Sequence, residues 1–201
     1  AYLGLVAFTD RVRERPSSTP GEQALAHFQF AMWRSQLRSA LDGVVRSGKT
    51  TPPGDRFVGG ILRRLACFDR RPVPARPRAL AHLACLDHAV GWRLRNLAPA
   101  PPCVDEWTDA WLSRRRFPGL GTAVVTDGGG PMPSDRRLEL IRAQLVPGAE
   151  RRAYRRSPAE PPGEADRLLV HYRVAEAADA CRRQIAASPG DLAAWTGLAV
   201  A

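Results

Sequence analysis

The sequence predicts a mainly α protein, an irregular multi-helix bundle with one candidate short strand and a helical hairpin at the C-terminus. Apolar residues recur every three or four positions through most of the 201 residues, which is the period of a helix that buries one face. Prolines and glycines cluster between these stretches, where helices end. With 44% hydrophobic residues, the chain can bury a sizeable core.

The first predicted subregion, residues 1–70, contains three helices. They cover residues 1 to about 15, about 21 to 47, and 52 to about 70. Gly48 can end the second helix because glycine readily adopts the left-handed conformation. Thr51 can cap the third helix, and Pro52 suits its first position because no amide proton is needed there. Phe57, Ile61, Leu65 and Phe68 are predicted to line one side of that helix.

The second predicted subregion, residues 71–150, begins with the proline-broken stretch 71–77. A helix over residues 78–97 is expected to bury one apolar face, which consists of Leu83, Leu86, Val90, Leu94 and Leu97. A short helix with Val104, Trp107 and Trp111 follows, and its acidic first turn and basic last turn suit the helix dipole. Residues 122–126 are a candidate lone strand, residues 128–130 are predicted to be a glycine loop, and Ser134 caps a further helix.

The third predicted subregion, residues 151–201, contains a linker and a helix pair that is split at residues 188–191. Small and apolar residues such as Ala178, Cys181, Ile185 and Trp195 would interlock these helices, as at a helical-hairpin repeat junction. Only one copy of this pattern is present, so a repeat array is not predicted.

Charge and composition restrict the function classes. The formal charge is +10, and Lys49 is the single lysine among the basic residues. Because the arginine clusters fall near helix ends and loops, they favour solvated helix ends over a nucleic-acid-binding face. No apolar run approaches the roughly 20 residues of a membrane-spanning helix, which predicts a soluble, cytoplasmic protein with no membrane partner. Cysteines 67, 85, 103 and 181 are interpreted as buried reduced thiols.

Complete catalytic motifs are absent from the sequence. No H-E-x-x-H sequence and no serine elbow occurs. His82, Cys85 and His88 lie on one predicted helix, but the two imidazoles diverge around its axis, so no metal site is predicted. Asp87 and His88 are candidates for a polar site beside Trp92, and the alternative is an amphipathic helix with a solvated polar side.

Two arginines of the second helix, Arg34 and Arg38, share a face. A planar guanidinium suits a carboxylate, so this face could bind an acidic co-substrate or a peptide carboxylate. The favoured alternative is an exposed face on which Arg38 forms an ion pair with Asp42.

Several stretches carry a family resemblance. They are residues 1–8 (AYLGLVAF), 28–34 (FQFAMWR), 41–48 (LDGVVRSG) leading into 51–58 (TPPGDRFV), 87–88 (DH), 92–96 (WRLRN) and 188–199 (SPGDLAAWTGLA). Together they resemble the region downstream of the catalytic motif in HExxH-motif peptide-modification proteins. The resemblance covers most of the chain, although HExxH itself is missing, and the chain is interpreted as starting inside a longer polypeptide.

The resemblance implies iron- and 2-oxoglutarate-dependent β-hydroxylation of ribosomally made peptides. Fe(II) and 2-oxoglutarate are then expected only with an HExxH motif outside these residues, and this segment alone is expected to bind no cofactor. Within that activity, Arg34, Arg38, Arg93 and Arg95 are candidates for carboxylate contacts and His88 for a polar or metal-proximal role. The leading hypothesis is therefore the C-terminal portion of a peptide hydroxylase. The alternative is a non-catalytic recognition or extension domain that binds a precursor peptide or a partner maturase, such as a radical-SAM enzyme.

Overall fold

A computed structural model describes residues 1–16, 19–116, 123–126, 136–146 and 162–201. The fold is mainly α, as the sequence predicts, and the described residues form nine helices and two short strands. The elements are α1 (Tyr2–Val12), α2 (Pro20–Ser47), α3 (Pro52–Asp69), α4 (Ala75–Asn96), β1 (Leu97–Pro99), α5 (Pro101–Leu112), β2 (Ala123–Val125), α6 (Arg136–Leu145), α7 (Glu164–Val170), α8 (Val174–Ala187) and α9 (Leu192–Val200). None of these helices has a stretch long and apolar enough to cross a membrane.

Helix α2 is the central element, and its ends are fixed by local interactions. At its start, the backbone N–H of Thr19 donates to Glu22 Oε2 at 2.8 Å, and the Glu22 N–H donates to Thr19 Oγ1 at 3.3 Å. This reciprocal pair satisfies two amides that the first turn leaves open. Gly48 follows the last turn at φ 61°, the left-handed conformation that the sequence predicts.

Two hydrophobic clusters share α2. The first, with Val6, Phe30, Leu41, Leu65 and Phe68 among its buried members, joins α2 to α1 and α3. The second joins α2 to α4, α6 and α7, and its buried members include Phe28, Leu80, Ile141 and Val170. Phe28, Leu80 and Val170 come from the three subregions predicted from sequence, so one cluster draws on all of them.

The C-terminal helical hairpin is present, because α8 and α9 pack against each other. Asp191 begins α9, where its Oδ1 accepts a hydrogen bond from the Ala194 N–H at 3.0 Å. Buried Cys181 of α8 forms a small cluster with Ala165 and Ala180. Helix α7 also packs on α8, so the predicted pair is extended by a third short helix.

The candidate strand is not alone. β2 pairs antiparallel with β1, and Leu97 lies opposite Val125. Leu97 was predicted to be the last residue of a helix, and this prediction was wrong because Leu97 begins β1. The pairing joins residues that are far apart in sequence, so no local pattern around Leu97 indicates it.

Several expected burial patterns were also wrong. Phe57 is 70% exposed, and Leu86 and Leu94 of α4 are exposed as well. Cys67 is exposed, and Cys85 and Cys103 are only partly buried, so Cys181 alone fits the interpretation of buried thiols. Helical period identifies an apolar face, but it does not show whether a neighbouring element covers that face.

The charged turns predicted at the two ends of α5 differ from the structure. Because α5 begins at Pro101, Asp105 and Glu106 are not in its first turn, and residues 114–116 lie beyond its end. The predicted cap Ser134 and the glycine loop at 128–130 lie outside the described residues.

Candidate functional site

Arg34, a candidate carboxylate contact, lies against the end of α3. Its Nη1 donates to the carbonyl oxygens of Phe68 at 2.7 Å and Arg71 at 3.2 Å, and its guanidinium carbon lies 4.9 Å from the Phe30 ring centroid. The last carbonyls of a helix carry partial negative charge, so a cation is favourable there. Burial lowers the pKa of Arg34 from its ordinary value. The side chain therefore caps α3 from a neighbouring helix.

Arg38, one turn further along α2, pairs with Asp69, the last residue of α3. The partner is thus Asp69 and not Asp42, the residue that i,i+4 spacing suggested. Both side chains are partly exposed, and such an ion pair contributes at most about 1 kcal/mol. Arg34 and Arg38 together hold the C-terminal end of α3 against α2, and a further role in binding carboxylates stays a prediction.

A buried arginine that directly follows α1, Arg13, also contacts this region. Arg13 donates from Nε and Nη2 to Asp10 Oδ1 at 2.9 and 2.7 Å, and from Nη1 to the Pro72 carbonyl oxygen at 2.9 Å. Its guanidinium carbon lies 4.6 Å from the Phe30 ring centroid. Sequence reasoning did not select Arg13, although the i,i+3 spacing of Asp10 and Arg13 is a signal for such a pair.

His27 lies next to this group on α2, and its Nδ1 is buried with no hydrogen-bond partner among the described residues. Burial lowers the pKa of His27 from its ordinary value of 6.5, and the Arg13 charge lowers it further. The folded protein therefore favours the neutral imidazole. Protonation of His27 adds a charge beside an arginine where no partner compensates it.

The lowered pKa predicts a pH dependence of stability. The unfolded chain binds a proton at His27 near pH 6.5, whereas the folded chain does so only at lower pH. The free energy of unfolding should therefore fall as the pH drops from about 6.5 toward the lowered pKa. We expect His27→Gln to remove this decrease and His82→Gln, a change at an exposed histidine, to retain it. Urea denaturation between pH 7.5 and 5 measures both, and an unchanged slope in His27→Gln would contradict the assignment.

Asp87, a candidate for a polar site, is bound to a residue that sequence reasoning missed. Arg137 of α6 donates from Nη1 to Asp87, from Nε to Asp166 Oδ1 at 2.7 Å, and from Nη2 to the Ala193 carbonyl oxygen at 2.8 Å. Its side chain links α6 to α4, α7 and α9, and the residue is only 6% exposed. Burial would lower the pKa of Arg137, but Asp87 and Asp166 raise it above the ordinary value. The guanidinium therefore stays charged at this junction of four helices.

Close packing surrounds the Arg137 guanidinium. A Cβ atom added to Gly197 of α9 would lie 2.7 Å from Cys181 Sγ and 2.8 Å from Arg137 Nη2. Helix α9 thus approaches both side chains so closely that a Cβ atom at position 197 would force one of them to shift. Asp166 also accepts a hydrogen bond from the Gly163 N–H at 3.0 Å and so fixes the start of α7. The junction is a structural core element built from polar groups.

The remaining candidates lie on the C-terminal half of α4. His88 and Arg93 are exposed, and Arg95 is partly buried. The structure does not bring them together with Arg34 and Arg38 into one described contact group. Where the chain is described, no three His, Cys, Asp or Glu side chains are grouped closely enough to hold a metal ion. The described residues therefore do not by themselves supply a ligand set for iron.

Five of the six polar residues that the sequence singled out fall into two sets. Arg34, Arg38 and Asp87 contact other helices of the chain. His88 and Arg93 lie on the outer surface of α4. No protein-family model, curated protein or solved structure matches this chain.

Proposed function

We propose that this chain is a peptide-recognition part of a protein that modifies ribosomally made peptides. The resemblance described above suggests the peptide class. The charge of +10 favours an acidic partner. A recognition role suits both hypotheses drawn from sequence, because a hydroxylase needs a surface for its substrate and an extension domain must hold a precursor peptide or a partner maturase.

The observation that carries the proposal is the outer surface of the last turn of α4. Trp92 is 43% exposed, and the adjacent Arg93 is exposed as well. Exposed tryptophan and arginine are the residue types most enriched where protein interfaces gain their binding free energy. Apolar side chains of a peptide would contact Trp92, and a peptide carboxylate would pair with the neighbouring Arg93.

Hydroxylation itself stays a prediction of the resemblance. Iron would supply oxidative chemistry through an HExxH motif, which these residues do not contain. The part proposed here for these residues is to bind and orient a peptide. Recognition is therefore proposed independently of whether the whole protein is a catalyst.

Calorimetry with a synthetic peptide of alternating Glu and Leu residues tests the proposal. We expect Trp92→Ala to weaken binding about tenfold or more, as for a central interface residue, and Arg93→Ala to weaken it about two- to fivefold, as for an exposed ion pair. Arg182→Ala is the matched control, because it removes one charge from the exposed side of α8. That variant should bind the peptide as the unmodified chain does.

Two outcomes would contradict the proposal. Equal losses in Arg93→Ala and Arg182→Ala would show that only net charge attracts the peptide. Tighter binding of duplex DNA than of the peptide at physiological salt, with a steep salt dependence, would point to nucleic acid as the partner.

A further inference from the structure

The pairing register of the two-stranded sheet determines which backbone groups point outward. The Thr126 N–H donates to the Asn96 carbonyl oxygen at 2.8 Å, and Ala98 lies opposite Val124. In an antiparallel pair, hydrogen-bonded positions alternate along each strand. Val124 therefore directs its backbone groups toward β1, whereas Ala123 and Val125 direct theirs away from it.

The two outer edges of this sheet differ in the backbone donors and acceptors that they expose. On the outer edge of β1, the Leu97 N–H already donates to the Arg93 carbonyl oxygen, and Pro99 has no N–H. On the outer edge of β2, the outward N–H and C=O groups of Ala123 and Val125 have no backbone partner within the described residues. Among the backbone groups that the structure describes, the β2 edge alone presents both donors and acceptors to an added strand.

The side chains of β2 are exposed as well. All three residues of the strand are exposed, and Val125 reaches 76%. A two-stranded ribbon of this length is marginal in water, and a third strand adds both hydrogen bonds and apolar contact. An exposed apolar edge strand is a template for pairing with another chain.

We propose that an extended segment of an acidic peptide adds to the outer edge of β2 as a third strand. Backbone hydrogen bonds from Ala123 and Val125 would hold the segment, and Val125 would contact its apolar side chains. Net charge favours an acidic peptide as the occupant. A second copy of this chain also carries a charge of +10 and is repelled, whereas an acidic peptide is attracted. This inference rests on the proposed recognition of peptides and adds a location and a backbone conformation for the bound peptide.

The first test uses a nine-residue synthetic peptide of alternating Val and Glu, together with two N-methylated forms. One form carries methyl groups on the valine amides and the other on the glutamate amides. An added strand bonds its neighbour through alternate residues, so one form should bind like the parent peptide and the other about tenfold or more weaker. Equal affinities of all three, equal losses in both methylated forms, or no binding of the parent would overturn the proposal.

The second test changes the protein. Val125→Pro removes an outward N–H that β1 does not use and should weaken binding of the Val/Glu peptide by about tenfold. Val124→Thr is the matched control, since it changes a neighbouring side chain and retains every backbone donor. Slow hydrogen exchange of the Thr126 amide in both variants reports that the ribbon is intact.

The outcomes separate this inference from the proposed function. Unchanged binding in Val125→Pro, with binding still lost in Trp92→Ala, would overturn strand addition and leave peptide recognition standing. Self-association of the chain that Val125→Pro abolishes would identify a second copy as the occupant and would also overturn the proposal.

Discussion

Replacing Arg137 by methionine is expected to lower the free energy of unfolding by about 3–5 kcal/mol, the range for breaking a buried ion pair from one side. Methionine fills similar space but cannot compensate Asp87 and Asp166, which the guanidinium contacts now. The Ala193 carbonyl oxygen also loses its donor. Because domains of this size are stable by only about 5–15 kcal/mol, urea denaturation followed by circular dichroism should show a large shift of the midpoint.

Two further variants define the origin of that loss. Arg142→Met changes an exposed arginine of the same helix and should alter stability by no more than about 0.5 kcal/mol. Arg137→Lys keeps the charge but cannot reach three acceptors with a planar fork, so its stability should lie between that of the unmodified chain and that of Arg137→Met. Equal effects of Arg137→Met and Arg142→Met would contradict the role of the junction.

Gly197→Ala is expected to destabilise the protein by about 1–3 kcal/mol, as overpacking of a core does. The sign is diagnostic, because the same change inside an exposed helix stabilises by about 0.5–1 kcal/mol. Here the new methyl group would lie 2.7 Å from Cys181 Sγ and 2.8 Å from Arg137 Nη2, and both neighbours are buried. Thermal and urea denaturation measure the effect.

Gly43→Ala provides the control for Gly197→Ala. Gly43 lies inside α2, and a Cβ atom added there meets no other atom within 4 Å, so this variant should gain stability. Cys181→Ala removes the sulfur that the new methyl group would strike and should recover part of the loss in the double variant, a coupling that a double-mutant cycle measures. Stabilisation by Gly197→Ala would show that α9 lies further from α8 and Arg137.

The helices were largely predictable from sequence because their signals are local. Thr51 accepts the Gly54 N–H at 3.3 Å at the predicted start of α3, and Gly48 ends α2 as expected. Each of these interactions lies within a few residues along the chain. A cap or a terminator acts on the turn that contains it, so its effect is the same wherever the helix later packs.

The partners of the polar side chains were not predictable in the same way. Spacing suggested Asp42 for Arg38, whereas the structure pairs Arg38 with Asp69, which is 31 residues away. Asp87 was a candidate for a polar site, but no pattern identified its partner Arg137, which is 50 residues away. Such pairs depend on which helices meet and at what angle, and periodicity does not contain that information.

By itself, the sequence determined that this is a mainly α chain, where α2 and α3 begin and end, and that it carries a strong positive charge. Tertiary structure alone decided that Asp87 and Arg34 face other helices while Trp92 and Arg93 face outward, and that residues 97–99 form a strand. The physical reason is distance along the chain. Helix signals act over one turn, whereas burial, ion pairing and strand pairing join residues that only the folded chain brings together.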